Sequence, residues 1–110
     1  MSKNTKKYVV VVPHLTFHDV KTPLLKTFPP SKILDVVVIY EKYILDNDDY
    51  KELPKRVVEK ISKYGDCTFA LVLTGSYVAC LLTYDLLRRL NKNVILLQYS
   101  QSKKVYEVIV

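Results

Sequence analysis

Four stretches of the chain are apolar with little or no alternation: "KYVVVVP" (Lys7 to Pro13), "SKILDVVVIY" (Ser31 to Tyr40), "CTFALVLT" (Cys67 to Thr74) and "NVILLQYS" (Asn93 to Ser100). A strand with one wet face alternates, so unbroken β-branched runs read as strands buried on both faces. Such strands need helices on both sides of one sheet, which points to a parallel α/β arrangement. A fifth stretch, "KKVYEVIV" (Lys103 to Val110), alternates better and reads as a more exposed edge strand. The short link "SQS" before it has the length of a hairpin, so this last strand is expected to run antiparallel.

Helical patterns lie between the runs. In "LPKRVVEKISKYG", Leu53, Val57, Val58, Ile61 and Tyr64 share one face, with basic residues opposite. Pro54 is expected in the first turn of that helix and Gly65 just past its end, with Asp46, Asp48 and Asp49 preceding it and complementing its dipole. Ser76 to Leu90 reads as a second helix, closed by Asn91 in a left-handed conformation. "HDVKTPLLKTF" (His18 to Phe28) reads either as a short helix interrupted at Pro23 or as loop. The expected fold is therefore α/β: a Rossmann-like three-layer domain, mostly parallel, with an antiparallel C-terminal edge strand. Residues 1–110 read as one domain of this kind.

Composition removes several classes. No apolar run approaches the roughly 20 residues that span a bilayer, and no signal-peptide pattern follows the basic start, so a cytoplasmic protein without a membrane partner is expected. The net charge of +6 is scattered. Lys3, Lys6 and Lys7 form a tail, Lys55, Arg56, Lys60 and Lys63 follow one helix, and Arg88, Arg89 and Lys92 end another. This permits general attraction to polyanions but shows no duplex DNA-binding motif. Cys67 and Cys80 have no partner at a metal-ligand spacing and read as small buried hydrophobes in a reducing compartment. "DNDDY" lacks the central glycine and final glutamate of a calcium loop. No metal and no cofactor are expected: there is no GxGxxG fingerprint and no phosphate-loop lysine.

In open parallel sheets, ligands collect outside the carboxyl ends of the strands. The first strand ends in His14, Thr16 and His18, the third in Thr74, Gly75 and Ser76, and the fourth in Tyr99 and Ser100. Glycine between strand and helix lets a ligand approach the backbone, and the helix start offers unpaired N–H groups with partial positive charge. Thr74 and Ser76 add hydroxyls, a set suited to phosphate or ribose. The same residues read equally as a tight turn with Ser76 as N-cap. His14 and His18 read as acid–base groups, as loop residues or as satisfied polar groups. Alternation sends Lys103 and Lys104 to opposite faces, so one of them at most meets a given ligand.

The run "LVLTGSYVACLLTYDLLRRLNKNVILLQYS" resembles the strand–TG–helix–strand half of CRISPR-associated Rossmann-fold (CARF) domains. "VVVPHLTFHD" is similar to the opening of small standalone proteins of that kind, and "QYSQSKKVYEV" to their closing strand, polar turn and basic strand. Two positions depart: Ser76 stands for the second glycine of a TGG turn, and Pro13 for the serine before the first-strand histidine. The resemblance implies a ring nuclease of the metal-independent type, a homodimer that binds cyclic oligoadenylate and cleaves it. It further implies catalytic roles for His14, Ser76 and Lys103, and ligand contacts from Thr16, His18, Thr74, Gly75, Tyr99, Ser100 and Lys104. A non-catalytic sensor or sponge for the same ligand, or an unrelated nucleotide-binding module, are the alternatives.

Overall fold

A computed structural model describes residues 7–110; Lys3 and Lys6 of the basic tail lie outside them. Five strands, β1 (Tyr8–His14), β2 (Ile33–Tyr40), β3 (Thr68–Val72), β4 (Asn93–Ser100) and β5 (Val105–Val108), form one sheet in the order β2-β1-β3-β4-β5. The first four are parallel, and β5 returns antiparallel to β4. Three helices connect them: α1 (Lys21–Thr27), α2 (Asn47–Ile61) and α3 (Tyr77–Arg89).

Alternation along the buried strands sorts the core into two layers. Val9, Val11, Phe69 and Leu71 point to one face, where Leu53, Val57 and Ile61 of α2 and Ala79 and Leu87 of α3 cover them. Val10, Val12, Ala70 and Val72 point to the other, beneath Leu24 of α1 and Phe28 just after it. All eight strand residues are at most 5 % exposed, which explains why their runs carry no polar alternation. The expected three-layer, mostly parallel Rossmann-like fold is therefore the observed one. The chain leaves β1 toward β2 and then crosses to β3 on the opposite side, so the topological switch point lies between β1 and β3.

Several boundaries differ from expectation, each for a local reason. Helix α2 starts at Asn47, not near Leu53, because Asp46 and Asp49 form a capping box. Asp46 accepts the Asp49 N–H at 2.9 Å, and the Asp49 carboxylate accepts the Asp46 N–H at 2.9 Å. Pro54 consequently lies inside the helix, where its missing N–H forfeits one bond to the Tyr50 carbonyl. Val58 is 42 % exposed and off the buried face. The helix closes at Ser62, so Gly65 is not its capping residue. In α1, Pro23 does not interrupt the helix, because first-turn N–H groups need no intrahelical partner. Asn91 does close α3: at φ 58° it donates to the Arg88 carbonyl while Lys92 N–H reaches back to Leu87, a Schellman motif.

The Lys42 ammonium at 2.8 Å and the Asp46 N–H hold the Asp49 carboxyl below its usual range. A carboxylate depressed in the folded state contributes stability above the unfolded value of 3.8, lost as pH falls through the lower folded value. Urea unfolding across that acid range is expected to show a drop in stability that becomes shallower in Asp49→Asn. An unchanged pH profile in the variant would remove Asp49 from the acid response.

Lys103 and Lys104 lie in the β4–β5 turn rather than in the strand, Lys104 at φ 59°. Alternation therefore does not govern where they point. The outward N–H and C=O of Tyr106 in β5 are both held by Thr27 Oγ1, at 2.9 and 2.7 Å. This closes part of an edge that would otherwise offer itself for pairing, and it ties the end of α1 to β5. Thr27→Val is expected to lose about 1–3 kcal/mol of stability in urea unfolding, the cost of leaving both groups unpaired. A loss under about 0.5 kcal/mol would mean water replaces the hydroxyl.

Candidate functional site

His14 ends β1 at the switch point and is only 4 % exposed. Its Nε2 lies 2.8 Å from the Ser76 N–H and its Nδ1 lies 2.8 Å from the Leu15 carbonyl. A backbone N–H can only donate and a carbonyl can only accept, so Nε2 is the acceptor and Nδ1 carries the hydrogen. Both ring nitrogens are therefore engaged: Nε2 latches β1 to the β3–α3 turn, and the Nδ1–H bond to the adjacent Leu15 carbonyl fixes the ring. To act as a base or an acid, His14 would first have to release one of them.

The turn is built around this ring. Gly75 has φ +73°, and a Cβ there would lie 2.3 Å from His14 Nε2 and 2.6 Å from Cε1. The space a side chain would need is thus taken by the histidine, not left for a ligand. Ser76 caps α3 by accepting the Ala79 N–H at 3.2 Å, and its hydroxyl shares a 2.8 Å hydrogen bond with Tyr50 of α2. That hydroxyl faces the α2 layer. Thr74 and Gly75, by contrast, reach the other side of the sheet.

On that other side, between α1 and the β4–β5 hairpin, lies an open cleft of about 730 Å³. It collects five of the residues expected at a site: His18, Thr74, Gly75, Tyr99 and Lys104. Lys26 of α1 and Gln98 of β4 join them. Tyr99 packs edge-on against Tyr106, with ring centres 5.7 Å apart. Asp19, also in the wall, accepts the Thr22 N–H at 3.2 Å. Among the described residues, Lys26 and Lys104 form no ion pair. Two cationic side chains and the single carboxylate of Asp19 thus line the cleft, a balance that suits an anion with hydroxyl and amide groups around it.

The remaining expected residues lie elsewhere. Lys103 turns away to pair with Glu107 at 2.9 Å. The Ser100 hydroxyl is used within the hairpin, bonded to Ser102 and to the Lys103 N–H. Thr16 lines a separate apolar groove. His14, Ser76 and Lys103 thus do not share one cavity wall. Gln98 was detectable in advance as a polar break in an apolar strand run. Lys26 and Tyr50 had no such signal, because their positions depend on how α1 and α2 pack.

Among the described residues, no helix is long and apolar enough to cross a membrane, and no three His, Cys, Asp or Glu side chains group as a metal ion would require. Fold and cleft define the class: a doubly wound α/β domain with a cationic cleft at the carboxyl edge of its sheet. Compared with protein-family models, curated proteins and solved structures, the chain matches none.

Proposed function

We propose that this protein is a cytosolic ring nuclease that binds cyclic oligoadenylate, cyclic tetra-adenylate foremost, and opens it, switching off type III CRISPR signalling. The observation that carries the reading is the cleft of about 730 Å³ beside the switch point, where Lys26 and Lys104 face Thr74, Gly75 and Tyr99. That combination fits a phosphodiester better than a neutral ligand. The sequence resemblance supplies the identity of the nucleotide.

The reaction needs little acid–base machinery. A ribose 2′-hydroxyl attacks the adjacent phosphorus, its proton passes to solvent, the bond to the 5′-oxygen breaks, and that oxygen takes up a proton from solvent. The products are a linear chain with a 2′,3′-cyclic phosphate and a 5′-hydroxyl. The protein holds the hydroxyl in line with the leaving oxygen and stabilises the developing charge. In this reading Lys104 and Lys26 supply the charge, Thr74 and Tyr99 hold the ribose–phosphate, and His14 is a positioning residue behind Gly75 and Ser76. A symmetric cyclic ligand suits a two-fold dimer. Exposed apolar side chains on α3, Tyr77 at 76 % and Leu81 at 63 %, support a second copy packing there.

One observation favours a second reading, a sensor or sponge that binds without cutting. Both His14 nitrogens are engaged, the Ser76 hydroxyl is bonded to Tyr50 and Ala79, and Lys103 is paired with Glu107, so all three groups implied as catalytic are occupied. Labelled cyclic tetra-adenylate incubated with excess EDTA separates the two. Linear products with cyclic-phosphate ends are expected for the nuclease, and tight binding without turnover for the sensor. No binding to any cyclic oligoadenylate would sink both.

A further inference from the structure

We propose that the apolar groove beside α1 is a second subsite, one that takes the adenine base of a nucleotide whose phosphate lies in the adjoining cleft. The proposal rests on the cyclic oligoadenylate reading above.

Helix α1 is tied to β5 through Thr27, and on the β2 side of that sheet face Val36 is left 46 % exposed. A groove of about 530 Å³ lies there, walled by Val12, Leu24, Leu25, Val36 and Val38. Small-molecule pockets have this size, about 300–1,000 Å³, and this character: apolar walls with a few placed polar groups. One polar atom is out of keeping with its surroundings. Thr16 lines the groove, yet its Oγ1 is sealed from solvent and has no hydrogen-bond partner. Buried hydroxyls without partners are rare, because they lose water and gain nothing in return. A turn about χ1 exchanges the hydroxyl with another staggered position without moving the backbone. In the proposal, the hydroxyl takes the position that meets the base in the groove.

His18 lines both the groove and the cationic cleft, so the two cavities share a wall. A nucleotide has the matching division. Its phosphate is anionic, and its base is a flat ring with apolar faces and hydrogen-bonding edge atoms. Adenine in the groove buries its faces against the aliphatic walls and offers a ring nitrogen to the Thr16 hydroxyl. The phosphate then lies toward Lys26 and Lys104.

The test uses wild type, Thr16→Val and Leu25→Arg, each followed by calorimetric titration with cyclic tetra-adenylate and by urea unfolding. Thr16→Val is expected to raise the urea midpoint while weakening binding about three- to tenfold, the worth of one hydrogen bond. A merely structural residue would not move those two readouts in opposite senses. Leu25 is 39 % exposed, so the fold tolerates Leu25→Arg, and this variant is expected to weaken binding about tenfold or more by obstructing the groove. A lowered midpoint in Thr16→Val would give the hydroxyl a structural partner and overturn the proposal. So would wild-type affinity in both variants, or a change of oligomeric state in Leu25→Arg at unchanged affinity, which would make the groove an interface between copies. Wild type that binds no cyclic oligoadenylate ends the functional reading and the subsite together. Wild type that binds, with both variants matching it, ends the subsite alone.

Discussion

Gly75→Ala is expected to lower stability by about 2–5 kcal/mol, read as a shift of the urea midpoint. Two effects combine. An L-residue at φ +73° costs about 1–2 kcal/mol. The new methyl would also lie 2.3 Å from His14 Nε2, so the ring must move and give up its bond to the Ser76 N–H. Leaving those groups unpaired adds about 1–3 kcal/mol. A double-mutant cycle isolates the second effect. His14→Ala alone is expected to cost about 2–4 kcal/mol, through a cavity and two lost hydrogen bonds. In that background Gly75→Ala should cost only its backbone strain. Additive losses would show that the ring and the turn do not share the space that the close approach implies.

Replacing the two cleft lysines is the change expected to affect ligand binding most. Lys26→Gln and Lys104→Gln should each weaken the binding of cyclic tetra-adenylate by about tenfold to a hundredfold, as expected for charge-assisted hydrogen bonds to phosphate. Lys103→Gln is the internal control. Its ammonium is paired with Glu107 on the exposed face of the hairpin, so its affinity should stay within about threefold of wild type. The affinity of wild type should fall steeply with salt, and the double lysine variant should flatten that slope. Isothermal titration at two salt concentrations measures both. A Lys103 variant that loses more affinity than the Lys104 variant would relocate the anion site to the outer face of the hairpin.

Much of the architecture was legible because burial on both faces removes alternation, and Val9 to Val12 and Phe69 to Val72 carry that signature without a break. The end of α3 was legible too, since Asn91 is the residue best able to take the left-handed position there. The start of α2 lies ahead of the position Pro54 suggests, because Pro54 imitates a first-turn proline while the spacing of Asp46 and Asp49 carries the capping signal. The site was legible only in outline. The strand-end residues His18, Thr74, Gly75 and Tyr99 line one cleft, together with Lys104 of the β4–β5 turn. The contacts that decide what each residue does are long-range. His14 meets Ser76 across 62 positions, and Thr27 meets Tyr106 across 79. No local pattern encodes either pair. His14 is therefore open in the sequence between chemistry and a satisfied polar group, and the fold makes it a latch; Lys26 reads as surface until α1 is docked.

The proposed function puts an anionic cyclic nucleotide in the cleft between α1 and the β4–β5 hairpin. Amide NMR spectra recorded while cyclic tetra-adenylate is titrated into the protein test this residue by residue. Shifts that saturate and cluster on Lys26, Thr74, Gly75, Gln98, Tyr99 and Lys104 are the expected result. Saturating shifts confined to other surfaces, or a spectrum that does not change, would contradict it.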